Sequence, residues 1–170
     1  MSLVGTIEEI YIGSEGGAEM QLVDEVRALA DCGLEGDRYC KGVGSWTGTD
    51  ECQVTLIALE DLEQIANTTG IHVIRGEHRR NLITRGVQLE NLDGKRFLVG
   101  QAVLEYEKPR PPCSYIQSIT EPGMTKALAG HSGICARVIE SGLIRAGDSI
   151  HLTAAEEESR IQEGRGARPC

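Results

Sequence analysis

Apolar residues recur at short, strand-like spacing along most of the chain. Val4, Ile7, Ile10 and Ile12, with Glu8 and Glu9 between them, alternate imperfectly until Gly13 and Gly16-Gly17 interrupt the run. The pattern predicts a strand, a turn and a second strand over residues 18–23. From 31 to 50 glycine dominates (Gly33, Gly36, Gly42, Gly44, Gly48), which predicts a long loop broken only by the charged pair Asp37-Arg38. Residues 54–57 are a short apolar run that suits a buried strand, and Leu59, Leu62, Glu63, Ile65 and Ala66 then follow helical spacing as far as Thr69. Short strands follow over 81–84, 96–99, 102–106, 134–139 and 149–152. They are separated by Leu92-Asp93-Gly94, Gly100, Ser141-Gly142 and Gly147-Asp148. Many short strands between glycine turns, with one or two helices, predict a mainly β fold: a closed or nearly closed β-barrel carrying a few peripheral helices.

The periodicity ends at Thr153. The remaining stretch, AAEEESRIQEGRGARPC, has one large apolar residue, Ile161, and can bury almost nothing. One domain over 1–153 is expected, with 154–170 a frayed helix or a disordered tail. A length of 170 residues agrees with a single domain. No apolar run approaches the roughly 18 residues of a membrane span, and no secretory signal opens the chain. A cytoplasmic location is expected.

Charge narrows the partners. Against 17 Lys and Arg stand 26 Asp and Glu, a net charge of -9, which opposes nucleic-acid backbones, and aromatic residues are only 4%. Yet 13 of the 17 basic residues are Arg, whose planar fork grips phosphate or carboxylate at two points. Between Arg75 and Arg110 six Arg and two Lys face five acids, which suggests a local anion pocket, although solvated strand faces yield the same count.

The six cysteines, at 32, 40, 52, 113, 135 and 170, show no pair two or three residues apart, so zinc knuckles and thioredoxin-type pairs have no support and free thiols are expected. Cys113 follows Pro109-Arg110-Pro111-Pro112, which forbid a helix, and precedes Ser114, Tyr115, Ile116 and Ile119, which suit one. A helix N-terminus and Arg110 would then favour its thiolate, a nucleophile and soft metal ligand; the other reading is an inert apolar cysteine. GLEGDRY places Arg38 in a glycine loop, either against a ligand or in a salt-bridged turn. Arg79, Arg80 and Asn81 open a strand, and alternation sends the two guanidinium groups to opposite faces. GHSGICAR offers His131 in a turn and Arg137 along a strand, while His72, His78 and His151 have no metal-ligand spacing.

GLEGDRY, VTLIALEDLEQI, RRNLITRGVQLENLDGKRFLVGQAVLE, PPC with its following helix and GICARVIESGLIRAGDSI, in this order over about residues 3 to 152, resemble the MOSC domain. That module is named for the C-terminal part of molybdenum cofactor sulfurases. The resemblance implies a MOSC-type barrel that binds the molybdenum cofactor (molybdopterin), with Cys113 as the metal- or sulfur-carrying catalytic residue. Arg38, Arg79, Arg80, Asn81, Arg110, His131 and Arg137 are its expected cofactor contacts. Two departures stand out. CKGVGSWTG replaces a Lys-His-Gly-Gly type cluster, and His131 stands where relatives commonly carry Arg. The pyridoxal-phosphate domain of the sulfurases and the iron-sulfur domain of some relatives are absent from this sequence, so pyridoxal phosphate belongs to a separate partner. Electrons or persulfide sulfur must come from an electron-donor or cysteine-desulfurase-like protein. The implied activities are reduction of N-hydroxylated compounds or sulfur handling for the cofactor. A non-catalytic carrier of the cofactor and a barrel without ligand are the other readings.

Overall fold

A computed structural model describes residues 3–166 of the chain. Its strands begin with β1 (Leu3–Gly13), β2 (Met20–Val23), β3 (Glu25–Leu29), β4 (Gly33–Leu34), β5 (Val54–Ala58) and β6 (Leu82–Arg85). They continue with β7 (Arg96–Val99), β8 (Ala102–Pro109), β9 (Ile134–Glu140), β10 (Gly142–Arg145) and β11 (Ser149–Leu152). The helices are α1 (Leu59–Thr69), α2 (Ser114–Ser118), α3 (Met124–Leu128) and α4 (Ala154–Gly166).

The length of β1 organises the barrel, because it bonds β11 near its start, β6 along its middle and β2 at its end. Hydrogen bonding runs on from β11 through β7, β8, β9 and β5 to β6, and so returns to β1. Seven strands therefore close the expected barrel, with β2 appended to β1, and closure removes most open edges. Among the described residues only β5 and β6 pair in parallel, since α1 carries the chain back between them. β3, β4 and β10 form a separate three-stranded sheet.

Two apolar clusters divide the interior along the strand period. Val54 and Leu56 of β5, Leu82 of β6, Ile7, Phe97, Leu104 and Ile150 fill the barrel, whereas Ile57 and Ile83 face outward onto Leu62, Ile65, Met124 and Leu128 of the helices. β5 is buried at all five positions because helices cover its outer face, which explains its unbroken apolar run. Each large apolar side chain fully buried in this way contributes roughly 1.5–3 kcal/mol relative to exposure.

Several elements differ from expectation. β3 and β4 lie where loop or no element was expected, and α3 was not foreseen. The expected tail is helical through Gly166 with none of its described side chains buried, and its remainder, with Cys170, lies outside the described residues. The cysteines are not all free thiols. Cys32 is bonded to Cys40 and Cys52 to Cys135, across Cα–Cα distances of 4.8 and 5.6 Å, leaving Cys113 as the free cysteine among the described residues. The spacing rule excluded near neighbours, but the second pair is 83 residues apart and is brought together only by the pairing of β5 with β9. No helix among the described residues is long and apolar enough to cross a membrane.

Candidate functional site

The loop between β4 and β5, Thr55 of β5, the segment before β6 and the prolines before α2 converge on one cavity of about 150 Å³. Arg38, Arg79, Arg80, Arg110 and Cys113 line it, and Tyr39, Trp46 and Tyr115 bring three of the chain's six aromatic rings to it. Arg38, Arg79 and Arg80 are buried, at 6, 9 and 7% exposure, which is costly for cations without partners.

Only one of the three is directly compensated. Arg38 Nη1 donates to Asp37 Oδ1 at 3.0 Å, and Asp37 is fully buried. The same carboxylate oxygen also accepts the Gly13 N–H (2.9 Å) and the Asn81 amide (3.2 Å), so it is already committed. Arg80 instead donates through Nε to the Ser132 carbonyl (2.9 Å) and through Nη2 to Ser132 Oγ (2.7 Å), and Arg79 donates to the Ala18 carbonyl (2.6 Å). Among the described residues neither has a carboxylate ion-pair partner. Burial, with repulsion from Arg110 and Arg38, pulls Arg80 down to about 9, while the nearby Cys113 sulfur acts in the opposite sense. Burial and Arg38 likewise lower Arg79. The physical remedy for such a cluster is an anion.

Alternation did not separate Arg79 from Arg80. Arg79 takes φ 59°, a left-handed conformation rare for a side-chain-bearing residue, and this turns the backbone so that both guanidinium groups reach the cavity. Gly133, at φ 82°, makes the Arg80 contact possible: a Cβ there would collide with the Leu56 carbonyl oxygen, and without that close approach Ser132 would stand off the wall.

His78 supports the same turn. Its Nδ1 accepts the Arg80 N–H at 2.8 Å, which puts the neutral ring's proton on Nε2, a buried atom with no partner among the described residues. Burial, with repulsion from Arg80 and Arg79, pulls its pKa to about 3. The unfolded chain takes up this proton near pH 6.5 and the folded chain does not, so the stabilisation is complete above 6.5 and is lost as pH falls toward 3. Between pH 7 and pH 5 this group alone is expected to remove about 2 kcal/mol of stability. Urea unfolding at both values checks it: His78→Asn, which retains an acceptor for the Arg80 N–H, should lose correspondingly less.

Cys113 caps α2 with φ -129° and ψ 170°, and is partly exposed to the cavity. That helix has five residues, so it offers free N–H groups rather than a developed dipole. Arg110 pairs with Asp50 at 3.1 Å. The hydrogen bond from Lys108, reinforced by Arg110, holds Asp50 below the ordinary aspartate range, so Asp50 is ionised and offers no proton.

Arg38, Arg79, Arg80, Arg110 and Cys113 thus meet, and three expected contacts do not. Asn81 is buried and its amide is spent on structure. Its Oδ1 accepts the Thr55 N–H and hydroxyl, and its Nδ2 donates to the Tyr11 carbonyl and Asp37, so it positions the Arg38 loop rather than a ligand. Arg137 lies on the outer face of β9, exposed between inward Ala136 and Val138. His131 sits 3.3 Å from Asp61 of α1, beside a different cavity under α3. Ser45, Trp46, Asp50, Thr55, His78, Tyr115 and Ser132 are contributors that the sequence did not single out. Only Ser132 carried a signal, through its place in GHSGICAR.

The family model described as the MOSC domain matches residues 44–151. The fold is also similar to solved structures. The YuaD protein from Bacillus subtilis is 21% identical with a TM-score of 0.70, covering 87% of this chain and 94% of that one. YiiM from Geobacillus stearothermophilus is 20% identical with a TM-score of 0.68, covering 88% and 75%. YiiM from Escherichia coli is 22% identical with a TM-score of 0.63, covering 91% and 70%. No curated protein matches the chain significantly.

Proposed function

The chain belongs to the MOSC domain family, and from that premise we propose that it binds a molybdenum cofactor at the arginine cavity and acts as a reductase of N-hydroxylated compounds or in sulfur handling for the cofactor. One observation carries the reading: two buried guanidinium groups, Arg79 and Arg80, without carboxylate partners among the described residues, stand beside the free thiol of Cys113. A molybdopterin has a phosphate and a metal held by sulfur, so this donor set fits it in kind. Arg79 and Arg80 would hold the phosphate, and Cys113 would ligate the metal or carry sulfur. When bound, the group supplies two-electron redox chemistry.

The chain's own residues prepare that site. Arg38, fixed by Asp37, holds positive charge at the cavity without being free to leave it, and Asp50 neutralises Arg110 at the exposed side. Ser45 donates to the Tyr115 hydroxyl at 2.9 Å and, with Trp46, lines the cavity wall. The proposal places the protein in the cytoplasm with a separate electron-donor or cysteine-desulfurase-like partner.

Protein produced in a host that makes the cofactor is expected to carry stoichiometric molybdenum and release a fluorescent pterin on oxidation. With reduced viologen it should then turn over hydroxylamines or amidoximes. Protein free of both metal and pterin sinks the reading, and tight binding without turnover identifies a carrier instead.

A further inference from the structure

The glycine-rich segment before β5 is tied down at both ends by disulfides. Cys40, at its start, is bonded to Cys32 ahead of β4, and Cys52, at its end, to Cys135 in β9. Residues 41–51 between them contain no strand or helix. Gly42 and Gly48 turn at φ 74° and 81° in open space, where an added Cβ would meet nothing within 4 Å. Yet Ser45, Trp46 and Asp50 of this segment line the arginine cavity.

Hydrogen bonds hold the start of the segment: the Val43 N–H donates to the Arg38 carbonyl (2.9 Å), the Val43 carbonyl accepts the Gly16 N–H (3.0 Å) and Lys41 Nζ donates to the Ser14 carbonyl (2.8 Å). Over the cavity itself its ties are weak. Ser45 bonds the Tyr115 hydroxyl, Trp46 meets the Tyr115 ring edge-on at 6.1 Å, and Asp50 pairs with Lys108 and Arg110 while itself exposed. Exposed pairs of this kind contribute little. The cavity it covers, about 150 Å³, is also well below the roughly 300–1,000 Å³ of small-molecule sites. That volume suits a small oxyanion, and a larger ligand would need the segment to move.

The two bridges are unequally accessible. Cys52 and Cys135 are sealed at 1% and 0% exposure, whereas Cys32 and Cys40 are half-buried. We propose that residues 41–51 are a lid over the arginine pocket and that the Cys32–Cys40 disulfide is its redox-sensitive clasp, opened by a dithiol reductant. Two electrons and two protons from the dithiol convert the bridge into two thiols, and the reductant leaves as its own disulfide. The free chain then extends back to Arg38, which remains anchored by its N–H to the Gly13 carbonyl at 2.7 Å. Tyr39, whose ring lies 4.9 Å from the Arg38 guanidinium carbon, joins the mobile part. A longer tether has more open states available, and local opening becomes cheaper. Half-exposed bridges in a glutathione-reducing compartment are characteristically transient or regulatory. The inference concerns access and holds whichever ligand the pocket takes, so it goes beyond the cofactor reading.

Alkylation of Cys113 by a bulky maleimide, resolved by peptide, reports lid opening. Mild dithiol treatment of the full chain is expected to expose Cys32 and Cys40 to labelling, leave Cys52 and Cys135 unlabelled, and speed Cys113 labelling by about tenfold or more. The emission of Trp46, the chain's one tryptophan, should shift in parallel. The Cys32→Ser/Cys40→Ser protein should label Cys113 at the fast rate without reductant and ignore the dithiol. An unchanged Cys113 rate on reduction, labelling of Cys52 or Cys135 under the same conditions, or a dithiol response that persists in the double variant overturns the proposal.

Discussion

Replacing Arg80 by glutamine is expected to weaken the binding of inorganic phosphate by about a hundredfold while leaving the protein at least as stable as the wild type. The two effects have one cause. Arg80 is buried at 7% exposure with Arg110 and Arg38 close enough to repel it and no carboxylate among the described residues to pair it, so its charge weighs on the folded state until an anion arrives. A glutamine amide can still donate toward Ser132, whose carbonyl and hydroxyl now accept from Arg80. Arg38→Gln is the informative contrast. It would strand Asp37, fully buried and ion-paired to Arg38, and removing one partner of a buried pair costs about 3–5 kcal/mol. The same change of side chain at two adjoining cavity positions should therefore leave stability intact in one case and reduce it sharply in the other. Thermal unfolding and phosphate titration calorimetry on both variants read this directly. Unchanged phosphate affinity in Arg80→Gln, or a stability loss matching that of Arg38→Gln, would show that Arg80 is a structural cation and not the floor of an anion site.

The barrel was legible because its strands repeat one physical pattern. The 54–57 run reads as a strand covered on both faces, and it is one, with Leu56 inside the barrel and Ile57 under the helices. β3 and β4 are harder to read because they are short: β3 alternates Glu25 and Arg27 with Val26 and Ala28, but over only five residues directly after β2, and β4 has two. Elements this short are fixed more by their neighbours than by their own pattern. The site divides in the same way. Residue type pointed to Arg38, Arg80, Arg110 and Cys113, since few side chains bind oxyanions or soft metals. Arg137 shares the type but not the face, and the inward-facing Ala136 and Val138 on either side of it already required it to point out. Arg79 is the converse: alternation would exclude one of the adjacent arginines, and a single left-handed residue, with no glycine to announce it, brings both in. The Cys32–Cys40 and Cys52–Cys135 bridges depend on chain reversals that no cysteine spacing encodes.

Cys113→Ser is expected to remove the second half of the chemistry and spare the first. If the thiol holds the metal, the hydroxyl in its place is a hard, protonated and poorer donor. Molybdenum retention should then fall by about a hundredfold or more, a larger loss than the 10- to 100-fold typical of residues that only support a ligand. Persulfide loading should vanish altogether, because oxygen cannot carry the transferable sulfur. The fold has no reason to suffer. Cys113 occupies the N-cap of α2 without a side-chain cap hydrogen bond, and serine is a preferred cap, so the substitution is neutral or slightly stabilising there. The hydrogen bond that Cys113 makes through its carbonyl, which accepts the Thr125 hydroxyl at 2.8 Å, belongs to the backbone and survives. Phosphate affinity should also survive, since the guanidinium groups that grip the anion are untouched. Metal analysis, persulfide labelling and phosphate titration on Cys113→Ser beside Arg80→Gln thus separate two functions of one cavity: one variant keeps the anion and loses the metal or sulfur, and the other does the reverse or loses both. A Cys113→Ser protein that still holds molybdenum and still carries sulfur excludes the thiol from the chemistry and leaves the cavity an arginine-built anion site.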